Sequence, residues 1–322
     1  MSAFPSFLEP LDKAHDTHLP YKHAIFRHKA PIGPVHALWW PCKQTGSRPD
    51  LVLLFIPGNP GLLGFYPPFL SAIRDKACSA KVAILAHAHV GHTPGIGNQG
   101  QWDAERYGLT TQIQNAVEAF DAVKSTFGPN TKVVLLAHSV GSWFALQVLK
   151  ARTEVVDGLF LLFPCISNIG STPNGQSLAW LFRPPVPRII SAISPIARVP
   201  PMLLSWFFGS WPRPQITVLH SLLSSPTAIF AALSMAHDEV NNIRDLDTSL
   251  LDKHKDRIWF YYAEHDEWVD NQREVVLHAI DAEPGYARVV RGHKDIPHAF
   301  CINHGEQLAA QCYEWLLAGR FI

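Results

Sequence analysis

A single serine stands where an apolar run changes into a helix-like pattern, in the segment LLAHSVGSWFALQVL of residues 135–149. Its neighbours are Ala137-His138-Ser139-Val140-Gly141. This order approximates the motif G-x-S-x-G, in which a sharp strand-to-helix turn exposes a nucleophilic hydroxyl. Small flanking residues let the strand and the helix approach each other, and alanine in place of the first glycine adds only a methyl group. The segment therefore predicts a nucleophile at Ser139; the alternative is an ordinary serine cap on a helix.

A serine hydroxyl becomes a nucleophile when a base accepts its proton and a carboxylate orients that base. Acidic residues follow the apolar run RIWFYYA of residues 257–263, and we favour Asp266 as the orienting acid. The late loop GHKDIPHAF supplies His298 as the candidate base. The order serine, acid, histidine along the chain is typical of hydrolases that carry their nucleophile on such a turn. Alternatives remain open among neighbours, namely Glu264, Glu267 and Asp270 for the acid and His293 and His304 for the base.

A serine nucleophile also needs backbone N–H groups that stabilise the negative charge developing on the carbonyl oxygen. One donor is the residue after the nucleophile, Val140. The other comes from a loop after an early strand, and the turn-forming segment PGNPG of residues 57–61 follows the apolar run LVLLFI. Proline has no N–H, so Gly58 and Asn59 are the candidates, and we favour Asn59. A plain double turn would explain the same five residues equally well.

A second cluster of side chains could bind a metal. His87, His89 and His92 lie within the short segment AHAHVGH. Histidines at this spacing are possible zinc ligands, but no Asp or Cys accompanies them there. A strand end followed by Gly-His is also usual in hydrolases of the kind indicated by the serine turn. We therefore expect neither a metal nor another cofactor.

Apolar runs predict the elements that would position these side chains. Strands are predicted over residues 34–41, 51–56, 81–86, 131–137, 157–163, 257–263 and 286–291, and helices over 66–76, 104–127, 141–150 and 304–318. Continuously apolar strands are expected where helices cover both faces of a sheet. Their alternation with helices predicts an α/β fold with a mostly parallel sheet and helices on both faces. We interpret residues 1–322 as a single domain.

Composition argues against several classes of protein. The 322 residues carry 27 basic and 27 acidic side chains, so no bulk charge attracts nucleic acid. Five widely spaced cysteines without a CxxC pair favour a reducing compartment over a disulfide framework. The N-terminal segment lacks the apolar region of a signal peptide, and no uninterrupted apolar run is long enough for a membrane-spanning helix.

One long interval differs from the rest of the chain. Between Gly158 and His237 there is no Asp, Glu or Lys, and besides histidine the charged residues are Arg183, Arg188, Arg198 and Arg213. Prolines cluster there among large apolar side chains, namely Trp180, Phe182, Leu203, Leu204, Trp206, Phe207, Phe208 and Trp211. We interpret residues 166–237 as an insertion within the domain, made of short helices or a hairpin. It would be a lid over the active site, an anchor in a lipid surface, or both.

Several segments together resemble a known family, namely FIPGNPGLLGFYPPFL, LLAHSVGSWFAL, YYAEHD and DIPHAF. They are similar to the lipid-droplet-associated hydrolase family of the α/β-hydrolase superfamily, over about residues 50–315. The resemblance implies an α/β-hydrolase fold and a Ser139–Asp266–His298 triad. It also implies association with the phospholipid monolayer of lipid droplets and the cytosolic face of the endoplasmic reticulum membrane. The implied activity is an esterase acting on neutral lipids such as sterol esters or acylglycerols.

These features favour a serine esterase or lipase that acts on apolar lipid esters. Two alternatives are a lipid-droplet structural or tethering protein with weak or no catalysis, and a thioesterase acting on a soluble acyl substrate. An epoxide hydrolase or dehalogenase is disfavoured because it would place Asp where Ser139 stands. The insertion without carboxylates favours a lipid surface over a soluble substrate.

Overall fold

The sheet is the element on which the rest of the chain is built. The computed structural model describes residues 4–11, 18–44, 46–97, 102–197, 200–281, 288–293 and 295–322. Within these residues the strands are β1 (Leu8–Pro10), β2 (Lys22–Arg27), β3 (Pro34–Trp40), β4 (Leu51–Ile56), β5 (Val82–His87), β6 (Lys132–His138), β7 (Gly158–Leu162), β8 (Ile258–Tyr262) and β9 (Val289–Arg291). Their order across the sheet is β1-β2-β3-β5-β4-β6-β7-β8-β9. The first three pairings are antiparallel and the rest are parallel.

Helices connect the parallel strands and cover both faces of the sheet. They are α1 (Pro67–Lys76), α2 (Ala104–Tyr107), α3 (Leu109–Phe127), α4 (Gly141–Ala151), α5 (Pro173–Phe182), α6 (Val186–Ala197), α7 (Pro201–Phe207), α8 (Arg213–Leu223), α9 (Pro226–Asn242), α10 (Thr248–His254), α11 (Gln272–Ala279) and α12 (Gly305–Ala318). Short 3-10 turns occur at Leu63–Phe65, Ile169–Ser171 and Lys255–Arg257. This is the mostly parallel, two-sided α/β architecture that the sequence predicts.

The core consists of two apolar layers, one on each face of the sheet, and β4 contributes to both. Its residues 51, 53 and 55 pack with α1 and α12, whereas residues 52, 54 and 56 pack with α3 and α4. Every side chain of β4 is buried. Burial of each such Leu, Val or Phe stabilises the fold by roughly 1.5–3 kcal/mol. The central strands are therefore a rigid platform for the loops at their carboxyl ends.

Among the predicted elements one is wrong, and β1, β2, α10 and α11 were not predicted. The seven predicted strands are confirmed as β3 to β9, although residues 286 and 287 of the last lie outside the described residues. The prediction of one helix over 104–127 is wrong, because Gly108 has extended backbone between α2 and α3. The Asp238 carboxylate accepts the Leu109 N–H at 3.2 Å and so starts the second helix. A side chain at Gly108 would place Cβ 2.6 Å from that carboxylate.

The stretch predicted as an insertion follows β7 and is mainly helical. Helices α5 to α8 and most of α9 fall within residues 166–237, between β7 and β8. No single helix in the described part of the chain is long and apolar enough to cross a membrane. The pair α8 and α9 together meets the length and composition, but it is bent by 88° at the break.

Candidate active site

Ser139 occupies a sharp turn between β6 and α4. Its φ of 55° lies in the left-handed region that non-glycine residues rarely adopt. Such strain is concentrated at functional sites, where the surrounding structure enforces it. Gly141 makes the turn possible, because a Cβ there would lie 2.4 Å from the Ile56 carbonyl oxygen and 2.5 Å from that of Pro57. The serine is therefore held at the carboxyl end of the central strands by close backbone packing.

The serine, the histidine and the aspartate predicted from sequence lie in one hydrogen-bonded chain. His298 Nε2 is 2.9 Å from Ser139 Oγ, and His298 Nδ1 is 2.7 Å from Asp266 Oδ2. A carboxylate only accepts hydrogen bonds, so Nδ1 carries the imidazole proton and Nε2 is left to accept the serine hydroxyl. The side chain of Asp266 is 5% exposed, and its other oxygen accepts the Trp268 N–H at 2.9 Å. This geometry is that of a nucleophile, a base and an orienting acid.

The alternative acids and bases lie elsewhere. Glu264, Glu267 and Asp270 are exposed, whereas Asp266 alone of the four bonds the His298 imidazole. His293 is exposed and pairs with Asp295 at 3.0 Å. His304 lies at the position before the first turn of α12. The structure therefore brings Ser139, Asp266 and His298 together, and the alternative residues take no part in their hydrogen bonds.

The backbone N–H groups of the two predicted oxyanion donors differ from that of Gly58 in their hydrogen bonding. Among the described residues, the N–H groups of Val140 and Asn59 donate to no protein acceptor. The Gly58 N–H instead donates to the Tyr66 hydroxyl at 3.4 Å. A side chain at Gly58 would place Cβ 2.8 Å from Ser139 Cβ, so the PGNPG loop packs directly against the nucleophile turn. The Val140 and Asn59 N–H groups are thus not committed to an acceptor among the described residues, as the predicted oxyanion role requires.

A buried network that sequence reasoning missed lies behind the serine. The Tyr66 hydroxyl is 2.9 Å from His138 Nδ1, and His138 Nε2 is 2.9 Å from the His298 carbonyl oxygen. Burial lowers the pKa of His138 to about 3, so the ring is neutral at physiological pH. A neutral ring that donates from Nε2 to the carbonyl must accept the Tyr66 proton at Nδ1. The network links the backbone of His298 to the turn that carries Ser139.

The histidines considered as metal ligands hold loops together. His89 Nε2 donates to the Pro57 carbonyl at 2.9 Å, and His92 Nδ1 donates to the Pro60 carbonyl at 2.8 Å. His87 Nε2 lies 2.9 Å from His28 Nε2. Burial lowers the pKa of His89 to about 3 and that of His92 to about 4, so both remain neutral. Among the described residues no group of three His, Cys, Asp or Glu side chains is arranged to hold a metal ion.

An apolar cavity of about 560 Å³ opens onto the triad. Its walls come from the insertion and from the loops after the strands, including Leu178, Leu181, Phe182, Ile190, Leu219 and Leu222. Polar lining is confined to the region of Ser139, His298, Asn59 and a buried carboxyl, Glu239, on α9. Volumes of this size accommodate small organic ligands. The arrangement suits a substrate with an apolar body and one reactive polar group.

The outer surface of the insertion is also apolar. Exposed large side chains cluster on α5, α6 and α7, namely Trp180, Ile189, Ile193, Met202, Leu203, Trp206 and Phe207. Phe182 and Leu204 are instead buried, and Trp211 packs on Phe65 at a ring separation of 6.3 Å. The insertion therefore has one apolar side towards the cavity and another towards the surroundings. Exposed apolar patches rimmed by polar residues mark interaction sites in soluble domains.

The fold and the serine turn define an α/β-hydrolase. The sequence profile of the lipid-droplet associated hydrolase family matches residues 49–301, and the chain belongs to that family. A human lipid droplet-associated hydrolase is 28% identical over 291 residues, which cover 83% of this chain and 84% of the human protein. A Drosophila melanogaster lipid droplet-associated hydrolase is 24% identical over 305 residues and covers 86% and 92%.

Solved structures share the fold at low sequence identity. An epoxide hydrolase from Vigna radiata superposes with a TM-score of 0.63 at 13% identity, covering 93% of this chain and 99% of the other. At such identity the likeness concerns the fold alone. The expected α/β-hydrolase architecture is thus confirmed, and its chemistry must be argued from the side chains of this chain.

Proposed function

We propose that this protein is a serine hydrolase that cleaves carboxylic esters of apolar lipids through an acyl-enzyme. The observation that carries the proposal is the continuous hydrogen-bonded chain Asp266–His298–Ser139 at the mouth of an apolar cavity. Both links have hydrogen-bond length, and proton transfer takes place along the one between Ser139 Oγ and His298 Nε2. A serine cap on a helix, the alternative interpretation, would need neither the histidine nor the aspartate.

The mechanism follows from the positions of these groups. His298 Nε2 accepts the Ser139 proton while Oγ attacks the ester carbonyl, and Asp266 stabilises the imidazolium that forms. The Val140 and Asn59 N–H groups stabilise the negative charge on the carbonyl oxygen. His298 then returns the proton to the departing alcohol. Water, deprotonated by the same imidazole, hydrolyses the acyl-enzyme and regenerates the serine.

The cavity and the family support the proposed substrate class. Apolar walls favour neutral lipid esters, such as sterol esters or acylglycerols, because transfer of their acyl chains from water is favourable. The names of the human and fly relatives supply the location, the lipid droplet. We extend this location to the cytosolic face of the endoplasmic reticulum membrane, from the family resemblance. The exposed apolar patch of the insertion would enter the phospholipid monolayer.

Hydrolysis of cholesteryl oleate and triolein emulsions by purified protein tests the proposal. A long-chain acyl thioester in solution serves as the competing substrate, and Ser139→Ala as the inactive control. The proposal predicts release of oleate from the emulsions by the wild type alone. Preference for the soluble thioester would favour the thioesterase alternative. Absence of turnover by folded, droplet-bound wild type would favour a tethering role.

A further inference from the structure

A buried carboxyl group lies next to the predicted oxyanion loop. Glu239, on α9, is 7% exposed and lines the same cavity as Ser139. Its Oε1 accepts a hydrogen bond from Asn59 Nδ2 at 2.8 Å, and the same Nδ2 donates to the Ala232 carbonyl at 2.9 Å. The side chain of Asn59 is thereby fixed at two points on α9. Its backbone N–H is the donor assigned above to the oxyanion.

We propose that Glu239 is a positioning residue of the oxyanion hole, which holds the Asn59 loop in place and does so productively only in its uncharged form. This inference rests on the proposed function. An oxyanion donor must be held rigidly, since a misplacement of about 1 Å can cost about 10²-fold in rate. An ionised Glu239, in contact with the side chain of the residue that donates to the oxyanion, would repel that negative charge, and the apolar cavity would screen the repulsion poorly.

The surroundings of Glu239 favour the uncharged form. Burial raises the pKa of Glu239 to about 7, the Asn59 hydrogen bond opposes the rise, and the charge of Asp238 adds to it. Cys165, whose thiol pKa is raised well above its usual range mainly by burial, and the neutral His92 also face this region. The helices packed against α9 also carry charged or titratable side chains that are exposed or half-buried, namely Glu105, Arg106, Glu118, Asp121, Lys124, Arg188, Arg213 and His220.

The sign of the pH dependence follows directly. Because the pKa of Glu239 is raised, the carboxyl is neutral below about pH 7 and ionises above it. Activity should therefore decline on the alkaline side as Glu239 ionises. It also declines in acid, because a protonated His298 cannot accept the serine proton. The pH–rate profile therefore has an alkaline limb, a decline in activity above about pH 7, that the triad alone does not produce.

The experiment compares wild type with Glu239→Gln, Glu239→Leu and Asn59→Ala. Hydrolysis of tributyrin is measured from pH 5 to 9 by titrating the acid that is released. The rate of fluorophosphonate labelling is measured on the same samples. Gln keeps an acceptor oxygen and cannot ionise, so Glu239→Gln should lose the alkaline limb. Glu239→Leu and Asn59→Ala should each lower kcat about 10- to 100-fold with KM little changed. Their effects should not add in the double variant, since both break one contact.

Asp238→Asn is the matched control, because Asp238 bonds the Leu109 N–H instead of the oxyanion loop. It should keep the alkaline limb, displaced to lower pH by loss of the charge that raises the pKa of Glu239. The inference is overturned if Glu239→Gln keeps the alkaline decline in activity of the wild type. This outcome counts whether or not Glu239→Leu folds. An unchanged kcat in folded Glu239→Leu also overturns it. If the wild type is not labelled at any pH, the proposed function and this inference both fail. If the wild type is labelled but Glu239→Gln keeps the alkaline decline, this inference alone fails.

Discussion

Removal of the exposed aromatic residues of α7 should release the protein from lipid surfaces. Trp206 is 76% exposed and Phe207 65%, and their rings contact each other at 4.8 Å. At about 200 Å² for each aromatic side chain, the pair presents roughly 280 Å² of apolar surface. If half of this area enters the monolayer, about 25 cal/mol per Å² gives about 3.5 kcal/mol, or more than 100-fold in partitioning.

The assay is flotation with artificial droplets of triolein coated by phosphatidylcholine, using the double variant Trp206→Ser, Phe207→Ser. A matched control changes Val275 and Leu317 to Ser. Their side chains are 47% and 44% exposed and lie on α11 and α12, apart from the exposed apolar residues of α5, α6 and α7. Phe208 and Trp211 are left intact because their rings pack together at 4.8 Å. We expect the first variant to remain in the aqueous phase and the control to float. A folded double variant that floats as the wild type does would refute the assignment and favour a lid without an anchoring role.

Further substitutions test the triad and the network behind it. Asp266→Asn should lower kcat by about 10⁴-fold, measured on tributyrin, whereas Asp270→Asn should have little effect; the reverse ranking would assign the acid to Asp270. His298→Gln should abolish hydrolysis and His293→Gln should not, and equal losses would contradict the choice of base. Tyr66→Phe should lower the free energy of unfolding by about 1–3 kcal/mol in urea, because a buried imidazole nitrogen loses its donor; an unchanged midpoint and slope would speak against that hydrogen bond.

Local patterns predict seven of the nine strands among the described residues and the sharp turn at Ser139. The central strands are continuously apolar because both faces are covered, and residue 141 is glycine because a Cβ there would lie 2.4 Å from the Ile56 carbonyl oxygen. Two elements escaped prediction at the edge of the sheet, β1 and β2. β2 reads KHAIFR, in which a lysine and an arginine at the ends leave too short an apolar pattern to recognise.

Contacts between distant segments could not be predicted in the same way. Asn59 and Glu239 are 180 residues apart in sequence, and Tyr66 and His138 are 72 apart, so no local spacing reports either pair. Composition distinguishes residues 166–237 from the rest of the chain but does not separate the apolar sides of their helices. Only packing shows that Phe182 is buried while neighbouring Trp180 is exposed, because helix orientation decides which residues meet the cavity.

The central claim is that Ser139 is an activated nucleophile, and labelling with a fluorophosphonate probe tests it most directly. The triad predicts covalent labelling of purified wild type at a single site, identified by mass spectrometry of the peptide that contains residue 139. Ser139→Ala should retain the circular dichroism spectrum and the melting temperature of the wild type, since the serine hydroxyl lines a cavity and anchors no core packing. It should incorporate no probe. Labelling of Ser139→Ala at the wild-type rate, or failure of folded wild type to label, would contradict the account.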